Sequence, residues 1–167
     1  MTTLNEAMLL LAAHPDSLFI GQGVAYDGVA TYRDLEGVPA EKRIEFPVCE
    51  EMNVSVALGM SLMGILPIVV IPRFDFLLRA ADAIVNHLDK LPIMSCGQFK
   101  PKVIIRTRVG SRTPLDAGPQ HSQDHTESFR QMLRTVTVHR ITTPEQIMPT
   151  YRFVLESESS ALVVEAL

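Results

Sequence analysis

An apolar run without polar alternation occupies residues 67–71, which read Pro-Ile-Val-Val-Ile. A strand with one face in water alternates apolar and polar residues, whereas a strand covered on both faces does not. The run therefore predicts a buried parallel strand. Because parallel strands are joined by crossover connections that usually contain a helix, this segment restricts the chain to folds in which helices cover a sheet.

Strand and helix patterns alternate along the rest of the chain. Apolar residues at helical spacing begin at Leu4 and stop at His14-Pro15-Asp16. Further strands are predicted at 18–20, 44–46, 102–106, 136–141 and 161–165, and further helices at 50–64, 76–90, 125–134 and 144–156. This order predicts one α/β domain over residues 1–167, with three layers and a mostly parallel sheet between helices.

Two long segments between these elements carry no strong pattern. Residues 24–42 are predicted to be mostly irregular, and residues 107–124 form a loop rich in Gly, Pro and Ser. Because long loops in compact domains are usually functional, the second loop is a candidate part of a site.

Composition excludes several classes of function. The chain has 167 residues, 47% of them hydrophobic, and a formal net charge of −4. That charge argues against nucleic acid, whose phosphates require a basic surface, and the apolar content favours self-association. Cys49 and Cys96 have neither the number nor the spacing of a disulfide framework or a zinc site, so no metal ligands are predicted.

The N-terminal residues lack the basic region of a secretory signal, and no apolar run approaches the ~20 residues that span a bilayer. We therefore expect a cytoplasmic protein that does not associate with a membrane.

Three segments follow predicted strands and are candidates for a shared site. Glu50 comes after the strand at 44–46, Arg73 and Phe76 come after the strand at 67–71, and His121 lies in the second long loop. Sites in parallel α/β folds lie at the carboxyl ends of the strands. Taken without further evidence, a glutamate in a first helical turn is more often solvated, a loop histidine exposed and a phenylalanine at a helix start part of the core.

An ordered set of short motifs favours functional over purely structural roles for these residues. The set comprises Pro47-Val48-Cys49-Glu50, Gly59-Met60, the 76–86 segment Phe-Leu-Leu-Arg-Ala-Ala-Asp-Ala-Ile-Val-Asn, Cys96-Gly97-Gln98 and His121-Ser122-Gln123. With these motifs the chain resembles the N-terminal, pyrimidine-binding half of the β subunit of 2-oxoacid dehydrogenases such as pyruvate dehydrogenase E1, and other transketolase-like thiamine diphosphate enzymes.

The resemblance implies a role for each candidate residue. The glutamate matching Glu50 hydrogen-bonds the aminopyrimidine of thiamine diphosphate and favours the tautomer that takes the thiazolium proton. The aromatic residue matching Phe76 stacks on the aminopyrimidine, and the histidine matching His121 faces the substrate and handles proton or acyl transfer. Gln22 stands in a loop that bears acidic residues in many relatives. Gln22 and Arg73 are further candidates for contacts with cofactor or substrate.

The resemblance also implies a partner chain. In the family a Gly-Asp-Gly motif and a downstream Asn hold the Mg²⁺ that binds the cofactor's diphosphate, and this sequence has neither. We therefore expect an α-type subunit to supply both, with a heterotetramer-like assembly and little activity from this chain alone. The family's usual C-terminal domain is also absent from these 167 residues.

The resemblance leaves the reaction open. A 2-oxoacid such as pyruvate is the expected substrate, with decarboxylation followed by transfer of the activated aldehyde or acyl unit. The acceptor would be a lipoyl group in a dehydrogenase, or an aldehyde or sugar in a transketolase-like carboligase. A non-catalytic structural or regulatory subunit that completes a partner is the alternative from another class.

Overall fold

A computed structural model of the chain describes residues 3–113 and 116–167. Six strands form one sheet in which every neighbouring pair is parallel, in the order β2-β1-β3-β4-β6-β5. The strands are β1 Ser17–Gly21, β2 Arg43–Glu45, β3 Leu66–Ile71, β4 Ile104–Arg108, β5 Thr137–Ile141 and β6 Ala161–Glu165. The predicted parallel sheet is thus confirmed.

Helices lie on both faces of this sheet, as predicted. The helices are α1 Thr3–Ala12, α2 Ala30–Asp34, α3 Glu50–Leu62, α4 Phe74–Leu77, α5 Leu91–Met94, α6 Thr126–Met132 and α7 Ile147–Glu156. Ile68 and Val70 of β3 face a core formed with α1 and α7, while Val69 and Ile71 face a core formed with α3, α4 and α6. All six residues of β3 are buried, which explains the absence of polar alternation in its sequence.

The strand predicted at 102–106 lies two residues further on, at Ile104–Arg108. Arginines usually end a buried strand because an unpaired buried charge is costly. Here Arg106 is buried inside β4 because Glu165 of the neighbouring strand pairs with it. Tertiary charge pairing therefore extends the strand beyond the end that its sequence indicates.

The prediction of a single helix at 76–90 is wrong in detail. The segment begins as α4 at Phe74, passes through a 3₁₀ turn at Leu78–Ala80 and winds as a π-helix over Ala83–Leu88. Its buried residues keep a spacing of three or four, which fits all three kinds of helix. The apolar pattern thus predicts a helix here without deciding its hydrogen bonding.

The segment predicted to be irregular at 24–42 contains α2 and a 3₁₀ turn at Ala40–Lys42. No side-chain cap holds α2 locally. Instead, the Asn5 side chain of α1 donates hydrogen bonds to the carbonyls of Asp34 and Glu36, at 3.2 and 2.6 Å. A contact from a distant helix stabilises this end, so the local sequence does not reveal it.

A buried carboxylate connects the π-helical segment to the turn before β5. Asp89 is fully buried, and its Oδ1 accepts the backbone N–H groups of Arg134, Thr135 and Val136 at 2.7 to 2.9 Å. Burial raises the pKa of this carboxyl, but the bonds from Lys90 and the three amides outweigh burial and hold the pKa below its ordinary value of 3.8. The ionised form therefore stabilises the fold above about pH 3.8 and ceases to do so as the pH falls through the lower folded-state pKa.

Replacing Asp89 with Asn should lower the free energy of unfolding by about 2–4 kcal/mol, because the amide lacks the charge that the three N–H groups bind. Urea unfolding at neutral pH measures this loss. Asp16→Asn, at an exposed position, is the matched control and should change little. A difference of less than about 0.5 kcal/mol between the two variants would contradict this role.

Cys96 has a φ angle of +52°, a conformation that costs an L-residue with a side chain roughly 1–2 kcal/mol. We expect Cys96→Gly to raise the free energy of unfolding by about 0.5–1 kcal/mol, the part that remains after the greater entropy of an unfolded glycine. Cys96→Ser keeps the strain and should leave thermal stability unchanged. Equal melting temperatures for the Gly and Ser variants would refute this expectation.

None of the helices within the described ranges is long and apolar enough to cross a membrane.

Candidate active site

The candidate site lies at the carboxyl edge of the sheet, where four successive strands end. Gln22 directly follows β1, Glu50 follows β2 after a short turn, Arg73 follows β3, and Arg108 ends β4. These strands are parallel and adjacent, so their ends converge on one edge. The structure thereby brings together the segments that the sequence placed after predicted strands.

Glu50 is the first residue of α3 and is only 1% exposed. Its Oε1 accepts a hydrogen bond from Gln22 Nε2 at 3.0 Å. Its Oε2 lies 3.4 Å from Arg79 Nε, within ion-pair distance, yet has no hydrogen-bond partner in the described part of the chain. Arg79 is 73% exposed, so solvent screens its charge. Glu50 therefore presents a buried carboxylate oxygen with unused acceptor capacity, contrary to the solvated alternative.

The loop after β1 is held by a second carboxylate. Glu45, the last residue of β2, accepts the backbone N–H groups of Gly23, Val24 and Ala25 at 2.7, 2.8 and 2.9 Å. Hydrogen bonds to an ionised acceptor are stronger than neutral ones, so this arrangement orders the loop that begins with Gln22. Glu45 thus supports the bond between Gln22 and Glu50.

Phe76 and His121 meet at the same edge. Their rings pack edge to face, with centroids 5.4 Å apart and planes at 86°. Both residues are partly buried, and His121 Nδ1 is buried without a hydrogen-bond partner among the described residues. The structure therefore places the predicted aromatic residue and the predicted histidine in direct contact, 45 residues apart in the sequence.

A cleft of about 680 Å³ opens beside this edge. Gln22 and Arg73 line it, whereas Glu50, Phe76 and His121 do not. Its other walls are mainly apolar: Tyr26, Val29, Phe46, Pro47, Val48 and Pro72. Arg73 is half-buried, and none of the described residues forms a salt bridge with it. Gln22 thus lines the cleft and also donates a hydrogen bond to the Glu50 carboxylate.

A buried ionic cluster lies behind the cleft. Arg106 donates to Glu165 from Nε and Nη2 at 2.6 and 3.0 Å and pairs with Asp34 of α2. Arg108 pairs with Asp34 at 2.7 Å and with Glu165 at 3.1 Å. Tyr151 donates its hydroxyl to Glu165 at 2.6 Å. Because Asp34 belongs to the segment that walls the cleft, the cluster fixes that segment to the sheet.

The charges of this cluster shift its pKa values. Burial raises the pKa of Glu165, but the charge and hydrogen bonds of Arg106 outweigh burial, so the pKa lies below its ordinary value. Burial and the neighbouring Glu165 raise the pKa of Tyr151 well above its ordinary value, so this phenol stays protonated and donates. Glu165 is therefore ionised and Tyr151 protonated at neutral pH, whereas Arg106 Nη1 is buried without a hydrogen-bond partner among the described residues.

Sequence reasoning missed Glu45, Asp75 and the Arg106–Glu165 pair as parts of this region. Alternate charged positions in an otherwise apolar strand, as in Ile-Ile-Arg-Thr-Arg of β4, are the signal that indicates buried pairing. Asp75 sits between two phenylalanines and accepts two hydrogen bonds from Gln123 in the loop of His121. Nothing in the local pattern distinguishes it from a solvated residue in a first turn.

Comparison with known proteins identifies the family of this domain. The family model described as "Transketolase, pyrimidine binding domain" matches residues 2–165. The pyruvate dehydrogenase E1 component subunit beta of Rickettsia conorii is 34% identical over 130 residues, which cover 75% of this chain and 39% of that protein. The 2-oxoisovalerate dehydrogenase subunit beta of Pseudomonas aeruginosa is 29% identical over 140 residues, covering 80% and 39%. The chain thus spans about two-fifths of the length of these curated relatives.

A solved structure described as "Split gene transketolase, inactive beta4 tetramer" has the same fold. Its TM-score is 0.75 at 17% identity, with 98% of this chain and 49% of the other covered. The family model, the relatives and the six-stranded parallel sheet with its helices on both faces lead to one assignment. The chain belongs to the transketolase-type pyrimidine-binding domains, the group that includes the corresponding domain of E1 β subunits.

Proposed function

We propose that this chain is the β-type subunit of a split thiamine diphosphate-dependent enzyme that acts on a 2-oxoacid. The observation that carries the proposal is the buried Glu50 carboxylate, whose Oε2 has no hydrogen-bond partner among the described residues. An unsatisfied buried acceptor costs about 1–3 kcal/mol or more, and this cost supports a ligand that donates a hydrogen bond to Oε2. The relatives' names and the family assignment support the same conclusion.

The residues present fit the aminopyrimidine end of the cofactor. Glu50 offers the acceptor oxygen, and its other oxygen is fixed by Gln22. Phe76 offers an aromatic surface three residues before Arg79, which lies within ion-pair distance of Glu50. When bound, thiamine diphosphate supplies a thiazolium carbon that can lose its proton and attack a carbonyl.

The chain's own residues have separate tasks in this proposal. Glu50 holds a proton-accepting position at the pyrimidine, and Gln22 orients its carboxylate. His121, in contact with Phe76, keeps Nδ1 available for proton transfer to or from the substrate. Arg73 supplies a positive charge in the cleft for the carboxylate of a small 2-oxoacid.

A partner chain is part of the proposal. The sequence lacks the Gly-Asp-Gly and Asn pair, so we assign the diphosphate and its Mg²⁺ to an α-type subunit. The exposed side of α3 offers small residues at Ser55 and Gly59, and a Cβ added to Gly59 would have no neighbour within 4 Å. Such a surface permits close approach of another helix, either from the partner or from a second copy.

Two alternatives differ in the acceptor or in catalysis. The split transketolase neighbour, described as inactive in its β4 form, favours a carboligase half that is inactive by itself. A non-catalytic subunit would keep the fold and association surface without using Glu50.

Calorimetric titration tests the proposal. Thiamine diphosphate with Mg²⁺ is titrated first into this chain and then into its co-expressed mixture with a chain that carries the diphosphate-binding motif. Binding that requires the mixture is the expected result and justifies turnover assays with pyruvate and branched 2-oxoacids. Absence of binding in both samples would refute the proposal and leave a structural subunit.

A further inference from the structure

Three consecutive residues of α4 contact every second residue of the loop that carries His121. The ring of Phe74 packs edge to face on His125, with centroids 5.5 Å apart, and Phe76 packs in the same way on His121 at 5.4 Å. Between them, Asp75 accepts hydrogen bonds from Gln123. The loop therefore crosses α4 in one fixed register.

Hydrogen bonds to Asp75 fix the register of the loop on α4. The Asp75 Oδ1 accepts both the backbone N–H and the side-chain amide of Gln123, at 3.2 and 3.0 Å. Asp75 is only 9% exposed, whereas its donor Gln123 is an exposed residue. Ring packing alone tolerates sliding, whereas two hydrogen bonds to one carboxylate oxygen do not.

Asp75 has no evident task within its own helix. A carboxylate in a first turn usually binds the free N–H groups there, but α4 has no side-chain cap and only four residues. Both bonds of Oδ1 instead reach across to residue 123. Both partners of Oδ1 thus lie in the loop, while Oδ2 is buried without a hydrogen-bond partner among the described residues.

Two contacts hold His121 itself, two residues before Gln123. Gly110 lies so close behind the loop that an added Cβ would fall 1.8 Å from the His121 carbonyl oxygen. The backbone of His121 is thus fixed from behind, its ring rests on Phe76, and its Nδ1 stays without a partner in the described part of the chain. The ring is held without using the nitrogen that proton transfer requires.

We propose that Asp75 is a positioning residue that sets the register of residues 121–125 through Gln123 and thereby places His121 over Phe76. The catalytic consequence rests on the proposed function, whereas the structural clamp does not. Asp75 acts through Gln123 and is not itself expected to touch the substrate.

Hydrogen exchange on the chain alone tests the clamp. Asp75→Ala should speed amide exchange at residues 121–125 by about tenfold or more, because the loop opens without its two bonds. Asp75→Asn keeps an oxygen that can accept from Gln123 and should restore much of the protection. Asp82→Asn, an exposed aspartate on the following helical segment, is the matched control and should change nothing in this loop.

The double variant Asp75→Ala with Gln123→Ala decides whether the two residues act together. We expect its exchange rates to equal those of Asp75→Ala, since Asp75→Ala already removes both bonds, whereas Gln123→Ala alone removes only the side-chain bond. Additive effects, or an unchanged loop in Asp75→Ala, would overturn the proposal. If Asp75→Ala does not fold, Gln123→Ala, which removes only the side-chain bond, should still speed exchange at residues 121–125 relative to Asp82→Asn, and an unchanged loop would overturn the proposal.

In the assembled enzyme, Asp75→Ala should lower kcat by about tenfold or more while the cofactor affinity stays unchanged, because His121 moves and Glu50 does not. Unchanged kcat with a loosened loop would overturn the catalytic consequence. An assembly that binds no cofactor would refute the proposed function, whereas the exchange measurements on the chain alone would still decide the clamp.

Discussion

Glu50→Gln should slow deuterium exchange at the thiazolium carbon of bound thiamine diphosphate by about 10²–10⁴-fold in the assembled complex. Glutamine has the same size as glutamate and can still accept the bond from Gln22, but it lacks the charge and the basicity that the pyrimidine requires. Cofactor affinity should fall far less than the exchange rate, since the proposed function assigns the diphosphate to the partner chain. Proton NMR of acid-quenched samples measures the exchange.

Glu51→Gln is the matched control, because Glu51 is the next residue of α3 and its side chain is exposed. Its exchange rate should equal that of the unmodified complex. Melting temperatures of both variants show whether slower exchange arises from a lost proton-accepting group or from a destabilised fold. Wild-type exchange in Glu50→Gln with cofactor still bound would remove the catalytic role and favour a structural subunit.

The largest effect on stability is expected from Arg106→Met. This change leaves Glu165, which is buried, without its main ionic partner and should cost about 3–5 kcal/mol in the free energy of unfolding. Methionine fills much of the same space. The loss of stability therefore reflects the missing charge more than the creation of a cavity. Urea unfolding at neutral pH measures the loss.

Arg152→Met on the exposed side of α7 is the control and should change stability by less than about 0.5 kcal/mol. Acid adds a second test. The pKa of Glu165 is lowered in the fold, so its contribution is complete above about pH 4.5 and is lost as the pH falls through the lower folded-state value. Arg106→Met should weaken this pH dependence. Similar stability and similar acid profiles for the two variants would contradict the role of the cluster.

The elements of the candidate site differ in how far local sequence predicts them. Glu50 follows a short strand and begins a helix, so its place at the sheet edge follows from element order alone. Its burial and its bond to Gln22 do not, because they depend on the loop that Glu45 holds. The nearness of Phe76 and His121 likewise depends on a long loop returning across α4.

The sequence by itself determined the alternation of strands and helices, because side-chain periodicity and buried apolar runs are local properties. It thereby predicted the parallel sheet and the edge that carries the site. Only the tertiary structure decided the extension of β4, the existence of α2 and the register of the His121 loop. Each of these depends on partners at least 29 residues away, such as Glu165 for Arg106 and Asn5 for Asp34. Contacts between such distant residues arise from packing and charge pairing, which a local pattern does not contain.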